Sequence, residues 1–183
     1  TQEFNIGLDF GFFRNRINGS LDVYQRTSKD LIMERQLPST TGWTSVWDNI
    51  GKVRNTGLEL SINTINVQTS DFSWQTNIIF DTNKNEILEL YGGKKDDIGN
   101  KWFIGEAINV NYDYEFDGIW QTSEADKAAI YGQTPGQVKV KDQNHDNVID
   151  AKDKVILGQQ LPKWTGSITN TFTYKNWDLA FNV

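Results

Sequence analysis

The residues with the clearest chemical potential lie in one short segment, 142–153. Calcium prefers hard oxygen ligands, and an EF-hand loop supplies them from positions 1, 3, 5, 9 and 12 together with the backbone carbonyl of residue 7. The matching positions in this segment are Asp142, Asn144, Asp146, Asp150 and Asp153, with Val148 at position 7. The spacing therefore predicts a Ca²⁺ site formed by these five side chains and the carbonyl of Val148.

Two residues of this segment depart from the usual EF-hand pattern. Asn147 stands at position 6, where glycine is usual because the chain turns sharply; asparagine is among the residues that best tolerate the left-handed conformation. Asp153 stands at position 12 in place of the usual glutamate, which shortens its reach. The alternative is a turn rich in Asp and Asn that binds no ion, since both residues are common in turns. If an ion binds, we expect a structural one, because no base or nucleophile is grouped around the segment.

The sequence contains no catalytic constellation. It has one histidine and no cysteine, so a Cys–His pair is impossible and a Ser-His-Asp triad would require His145. His145 is position 4 of the calcium-like segment and is expected to face solvent. Acidic residues are plentiful, so their number alone does not exclude the paired carboxylates of glycoside hydrolysis. No Gly-rich phosphate loop is present. We do not expect an enzyme, and the net charge of −6 argues against a nucleic-acid partner.

Most of the remaining chain has the pattern of β-strands. From Phe4 to Phe12 every second residue is apolar, with polar residues or glycine between. One apolar and one polar face is typical of a strand. Similar runs predict further strands at 17–24, 58–63, 72–80, 168–174 and 177–181.

The connections between these strands alternate in length. Short ones at 14–16, 68–71 and 175–176 are separated by long segments at 29–50 and 83–165. This alternation is typical of the periplasmic turns and extracellular loops of a membrane barrel. Measured between these connections, the first four strands have about 11 residues or more, enough for a tilted bilayer crossing, whereas soluble strands have about 5–6. We therefore predict an all-β fold: antiparallel strands of a transmembrane outer-membrane β-barrel. A soluble β-domain is the alternative.

The barrel interpretation assigns a surrounding to each face. No run of 18 apolar residues occurs, which excludes a transmembrane helix but not barrel strands, because these are apolar only at alternate residues. Aromatic residues beside the short turns fit an interfacial girdle. The side chains expected to face lipid include Phe4, Ile6, Leu8, Phe10, Leu58, Leu60 and Ile78. Those expected to face the lumen are Asn5, Asp9, Asn18, Asp22, Glu59 and Asn77.

An ordered series of short motifs resembles the barrel of SusC/RagA-type transporters. The family pattern "DLL…LP…TG…NIG.V.N.G.E" is matched by Asp30-Leu31-Ile32, Leu37-Pro38, Thr41-Gly42 and the run from Asn49 to Leu60. Motifs that follow in the family's order include Leu21 to Thr27, Asn83 to Ile87, Gly105-Glu106-Ala107, Asp117 to Trp120, Pro135-Gly136, the calcium-like segment, Leu157-Gly158 and Leu161-Pro162. The resemblance spans nearly the whole chain, and the ordered series is far more specific than any one motif.

The resemblance implies a function as well as a fold. Members of this family have a barrel of about 22 strands around an N-terminal plug. They import glycans or peptides across the outer membrane with energy from the TonB complex, under a SusD-like surface lipoprotein. On this basis residues 1–183 are a fragment of one barrel, covering roughly six strands and lacking the N-terminal part that contacts TonB. Residues 83–165 form a long extracellular loop, and the residues that bind substrate are unknown.

A second function remains open from the residues alone. A secreted β-domain stabilised by calcium and carrying exposed tryptophans would act as a carbohydrate-binding module. The two interpretations differ on Leu8, Phe10, Leu58, Leu60 and Ile78, which contact lipid in an importer and fill a dry core in a binding module.

Overall fold

The computed structural model describes residues 1–37 and 39–183. The first six strands in chain order are β1 (Gln2–Phe12), β2 (Ile17–Gln36), β3 (Ser45–Gln68), β4 (Phe72–Leu90), β5 (Val110–Tyr114) and β6 (Phe116–Ile119). Helix α1 (Ala125–Ile130) follows, and then β7 (Val138–Val140), β8 (Lys154–Gln159), β9 (Trp164–Tyr174) and β10 (Trp177–Asn182). The chain divides into two compact units, one of residues 1–108 with 161–183 and the other of residues 109–160.

The first unit is built on a six-stranded antiparallel sheet in the order β1-β2-β3-β4-β9-β10. The tight turns follow Phe12, Gln68 and Tyr174, and register places these strand ends side by side, since Ile17 pairs with Thr64 and Phe72 with Tyr174. The connections after Gln36 and after Leu90 leave from the opposite end of the sheet. The six antiparallel strands, and the short turns at one end, are therefore confirmed.

The long strands extend further than the sequence pattern indicated. Strands β2 and β3 remain paired up to the contact of Gln36 with Ser45, so most of the predicted loop 29–50 is strand. Strand β4 likewise continues to Leu90, into the segment predicted to begin the loop at 83–165, and β9 already begins at Trp164. Pro38, one of the residues that marked the first loop, lies outside the described residues. The pattern fails here because the pairing continues past bulges, where the alternation of apolar and polar residues is lost.

Register aligns apolar residues of neighbouring strands in three central rows. One row on the apolar face runs Leu8, Leu21, Leu60 and Phe80, and the rows on either side of it run Ile6, Val23 and Leu58, and Phe10, Gly19, Ile62, Ile78 and Ile168. These side chains are not a dry core, because Leu8 is 60% exposed and Ile6 58%, and Phe10, Leu58, Leu60 and Ile78 are only half-buried. The apolar face therefore stays accessible across the sheet.

The buried core of the first unit lies near the end of the sheet away from the tight turns. Val53, Ile87 and Leu90 form it, and the segment after β4 packs Trp102 and Ile104 against them. The segment returns to the sheet, since the amide of Gly105 donates to the carbonyl of Ile87 at 2.8 Å. This end of the sheet is thus covered by the chain itself.

Asp97 holds the loop that follows β4. Burial on its own would raise the pKa of this carboxyl, but hydrogen bonds from the Tyr91 hydroxyl and from the Asn100 side chain and amide outweigh it, so the pKa lies below its ordinary value. The backbone of Asp97 also pairs with Trp102 in a short bridge. The ionised carboxylate therefore stabilises the loop.

The second unit has two small antiparallel pairs, β5 with β8 and β6 with β7. Its buried aromatic residue is Trp120, 5% exposed, whose ring centroid lies 5.8 Å from that of Tyr131. The indole nitrogen donates to the Gln133 side chain, and the Lys139 ammonium lies 5.0 Å from the ring centroid. Among the described residues there is no helix with the length and apolarity that crossing a bilayer requires.

Candidate functional site

The segment 142–153 is a chain of turns held by its own side-chain oxygens. Asp142 accepts from the backbone amides of His145 at 2.7 Å and Asn147 at 2.8 Å. Asn144 and Asp146 repeat the arrangement one step on, accepting from the amides of Asp146 and Val148. Side chains of this type compete well for backbone amides, which is why they fold turns rather than helices or strands. The conformation of this loop is therefore determined by hydrogen bonds between residues that are close in sequence.

Two residues of the loop have left-handed backbone, His145 with φ 61° and Asn147 with φ 64°. Asn147 therefore takes the conformation predicted for position 6. The imidazole of His145 is exposed, as predicted.

The far end of the loop is anchored by Asp153, which is fully buried. Its two oxygens accept from the amides of Gln143 at 2.9 Å and Asp150 at 2.8 Å, so one carboxylate ties both ends of the loop together. Asp150 in turn caps the short 3₁₀ turn 151–153 by accepting from the amide of Lys152.

Two buried carboxylates, those of Asp142 and Asp153, therefore lie in one loop. In the part of the chain that the structure describes, no lysine, arginine or histidine forms an ion pair with either; Lys152 approaches Asp146 and Asp150 instead. Burial would raise the pKa of Asp142, but the amides of Asn147 and His145, with the Tyr131 hydroxyl, lower it below its ordinary value. The loop thus stabilises negative charge with amide and hydroxyl donors.

The predicted calcium ligands share this loop, but their carboxylates are turned toward its amides. Within residues 1–37 and 39–183, no three His, Cys, Asp or Glu side chains form a group that could hold a metal ion. The donors would fit Ca²⁺ by type, since carboxylate, amide and carbonyl oxygens are the ligands it takes. Ion binding would require these oxygens to turn inward from their present hydrogen bonds.

The polar face of the sheet is the second candidate site. Register places Asn18, Asn63 and Asn77 side by side, and their amides donate in sequence, Asn77 to Asn63 at 2.8 Å and Asn63 to Asn18 at 3.4 Å. A second row runs Gly7, Asp22, Glu59, Asp81 and Thr165. All six residues predicted to face the lumen lie on this face: Asn5, Asp9, Asn18, Asp22, Glu59 and Asn77.

Sequence reasoning missed Asp81, which completes a row of three carboxylates. The alternation of apolar and polar residues in β4 places Asp81 on the polar face. Only the register of β3 with β4 shows that Asp81 lies directly opposite Glu59. Like charges directly opposite one another in a sheet destabilise it, so nothing in strand propensity favours this placement.

Six antiparallel strands, five of them 11 to 24 residues long, form a sheet with one apolar and one polar face. Its short turns lie at one end and its long connections at the other, which defines a section of a membrane-type β-barrel wall. The sequence matches over residues 1–183 the family described as "TonB dependent receptor-like, beta-barrel". The chain belongs to this family.

Curated relatives and a solved structure agree with this assignment. The chain is 33% identical over 192 residues to TonB-dependent receptor P26 of Formosa agariphila, covering 99% of this chain and 19% of that protein. It is 32% identical over 190 residues to TonB-dependent receptor SusC of Bacteroides thetaiotaomicron, covering 100% of this chain and 19% of that protein. A structure of the RagAB peptide transporter superposes with a TM-score of 0.77 at 26% identity, over 98% of this chain and 20% of that one. The chain is thus of the SusC/RagA type, and spans about one fifth of the length of these relatives.

Proposed function

We propose that this chain is a section of the barrel wall of a TonB-dependent importer in the bacterial outer membrane. The main support is the division of the sheet into an apolar and a polar face over its central rows, from the row of Ile6 to the row of Asn18. Family membership over the full chain supports it. The relatives are named as receptors, which also favours transport over catalysis.

The dimensions of the apolar face suit an outer membrane. From Phe4 to Phe12, β1 rises about 27 Å at roughly 3.4 Å per residue, and a tilt of about 40° reduces this to about 20 Å, near the apolar band of roughly 25 Å in such barrels. Each large apolar side chain moved from water into hydrocarbon contributes about 1.5–3 kcal/mol. Lipid contact explains why so many apolar residues remain uncovered.

Aromatic residues at the tight-turn end fit the edge of that band. The ring centroids of Trp74 and Phe172 lie 5.6 Å apart across neighbouring strands, and Phe181 stacks on Phe172 at 5.8 Å. Trp177 and Tyr174 beside the turn are exposed, 79% and 53%. Tyrosine and tryptophan are enriched where hydrocarbon meets headgroups, because one end of each ring system is polar.

The proposal for cargo and partners rests on the family type. We propose import of glycans or peptides together with a SusD-like surface lipoprotein, driven through a TonB-contacting region elsewhere in the protein. The likeness of this chain to TonB-dependent receptor SusC and to the RagAB peptide transporter supports this proposal. The open apolar face favours the importer over a secreted carbohydrate-binding module.

Uptake by cells tests the proposal. Deleting the gene should abolish growth on, or accumulation of, one class of oligomer, and a tag on the protein should co-purify a surface lipoprotein from outer-membrane extracts. Mutating the TonB complex should give the same uptake defect. Unimpaired uptake after deletion across glycan and peptide sources, or recovery of the protein from the secreted fraction, would contradict it.

We further propose that the loop 142–153 takes up a structural Ca²⁺. The support is the buried, cation-free pair Asp142 and Asp153, the oxygen spacing, and the left-handed Asn147 that lets the loop close. The proposed ligands are the side chains of Asp142, Asn144, Asp146, Asp150 and Asp153 and the carbonyl of Val148. An ion coordinated by these ligands would replace several weak hydrogen bonds of the loop and would reduce the number of conformations that the loop can adopt.

Calorimetry of the intact transporter with CaCl₂ tests the calcium proposal. Asp142→Ala with Asp146→Ala should abolish the calcium heat and speed amide exchange in residues 109–160, while leaving the strands of the large sheet protected. Asp126→Ala is the matched control, because Asp126 is an exposed acid of α1 outside the loop. Absence of a calcium heat that the double variant removes would identify the loop as an ordinary series of turns.

A further inference from the structure

We infer that a cavity on the polar face around Tyr24 is a contact site for uncharged, hydroxyl-rich cargo, an oligosaccharide, and disfavours carboxylated or sulfated cargo. The cavity has a volume of about 540 Å³. Its lining includes Asn5, Asp22, Tyr24, Arg26, Glu59 and Asn83. The inference rests on the proposed import function and names the cargo chemistry that the described wall suits.

Tyr24 supplies a flat apolar surface in this cavity. It pairs directly with Gly57, and a Cβ at Gly57 would lie 2.5 Å from both the Cζ and the hydroxyl oxygen of Tyr24. The tip of the ring therefore lies over Gly57 of the neighbouring strand, and Tyr24 lines the cavity. The C–H face of a sugar ring stacks on such a surface, as apolar ligand groups do on aromatic walls in general.

Hydrogen-bonding groups surround the ring on two sides. Asn5 and Asn83 lie in the same lateral row as Tyr24, and the adjacent row brings Asp22 and Glu59. Carboxylates only accept hydrogen bonds, while the asparagine amides both donate and accept. Sugar hydroxyls offer donors and acceptors at close spacing, so they satisfy both kinds of group.

Electrostatics explains the exclusion of anionic cargo. Between the tight turns and the bulge after Ser28, the polar face carries six carboxylates, Glu3, Asp9, Asp22, Glu59, Asp81 and Asp178, and one cation, Arg26. Arg26 already lies 4.0 Å from Glu3. No cation among the described residues pairs with Asp22, Glu59 or Asp81. A ligand charge about 5–6 Å from one carboxylate in water-like surroundings loses roughly threefold in affinity, so an anion within that distance of two carboxylates of the row loses about tenfold.

The test uses the intact, detergent-purified transporter on an array of neutral, carboxylated and sulfated oligosaccharides with lysine-rich peptides of matching length. Neutral oligosaccharides should be the bound class. For the best neutral binder and its carboxylated counterpart, calorimetry should show that Asp22→Asn, Glu59→Gln and Asp81→Asn together reduce the discrimination about tenfold. Asp9→Asn with Asp178→Asn, which removes charge from the same face outside the cavity, should leave it unchanged.

Tyr24 provides an independent readout that does not depend on charge. Tyr24→Ala should weaken binding of the neutral ligand about tenfold, whereas Tyr24→Phe, which keeps the ring, should weaken it less than threefold. These two Tyr24 variants still test the binding site if the triple variant does not assemble. Tighter binding of lysine-rich peptides than of any oligosaccharide overturns the inference, as does equal binding of neutral and anionic forms by the unmodified protein. The triple variant could instead lower thermal stability without changing the discrimination between neutral and carboxylated ligand. The row would then pair with other parts of the protein, and the inference would fail. The proposed import function, which uptake by cells tests separately, would not be affected.

Discussion

Substituting arginine at Leu8 and at Asp9, two adjacent residues of β1, tests which face of the sheet contacts lipid. The two substitutions should differ strongly in their effect on folding stability. Leu8 lies midway along the apolar side of β1, between Phe4 and Phe12, and pairs with Leu21 in a row that continues to Leu60. On the proposed barrel this row lies near the bilayer midplane, where an arginine facing lipid costs about 2–4 kcal/mol. That cost lowers the folding equilibrium constant by about 30- to 700-fold at 1.4 kcal/mol per factor of ten.

Asp9→Arg is the matched control, because Asp9 is the next residue and lies on the polar face opposite Ser20. An arginine there replaces one exposed charge by another, so we expect a change within about 0.5 kcal/mol. Urea unfolding of the intact transporter in lipid vesicles, with heat-modifiable gel mobility as the assembly readout, measures both. Equal destabilisation by the two substitutions, or none from Leu8→Arg, would refute the assignment of faces.

Two further predictions concern the sheet and its covering loop. Gly57→Ala should lower thermal stability by about 1–3 kcal/mol, because its Cβ would lie 2.4 Å from the Thr82 carbonyl oxygen, whereas Gly93→Ala meets its nearest atom at 3.9 Å and should have little effect; similar melting temperatures would contradict this. The lowered pKa of Asp97 means that its carboxylate stabilises the loop above about pH 4 and that this stability is lost as pH falls through the lowered pKa; amide exchange in the loop should accelerate there, and Asp97→Asn should remove the pH dependence.

The alternation of side chains was sufficient to predict the sheet where each face meets a different surrounding. From Phe4 to Phe12 the apolar residues follow period two, and the structure pairs all of them in register with β2. The same reasoning stopped at residue 28, because bulges between Ser28 and Ile32 shift the register and the two faces no longer differ in polarity. Strand pairing there depends on the neighbouring strand, which a single-sequence pattern does not contain.

Of the two candidate sites, one could be predicted from the sequence and the other could not. The turns of 142–153 arise from local hydrogen bonds between side chains and amides, so the sequence alone predicted the left-handed Asn147. The row of Asp22, Glu59 and Asp81 joins strands distant in sequence. Alternation gives the face of each residue but not its partner, and only register shows that the three carboxylates are neighbours.

We propose that β1 to β4, β9 and β10 form a barrel wall with the apolar face in lipid, and spin labelling of β1 tests this directly. The sequence contains no cysteine, so single cysteines at positions 4 to 12 of the intact transporter, where any cysteine outside this chain is first removed, can carry nitroxide spin labels in lipid vesicles. We expect labels at even positions to collide with oxygen dissolved in the bilayer, and labels at odd positions to collide with a water-soluble nickel chelate. Equal access of the chelate to both sets, or the reverse pattern, would contradict it.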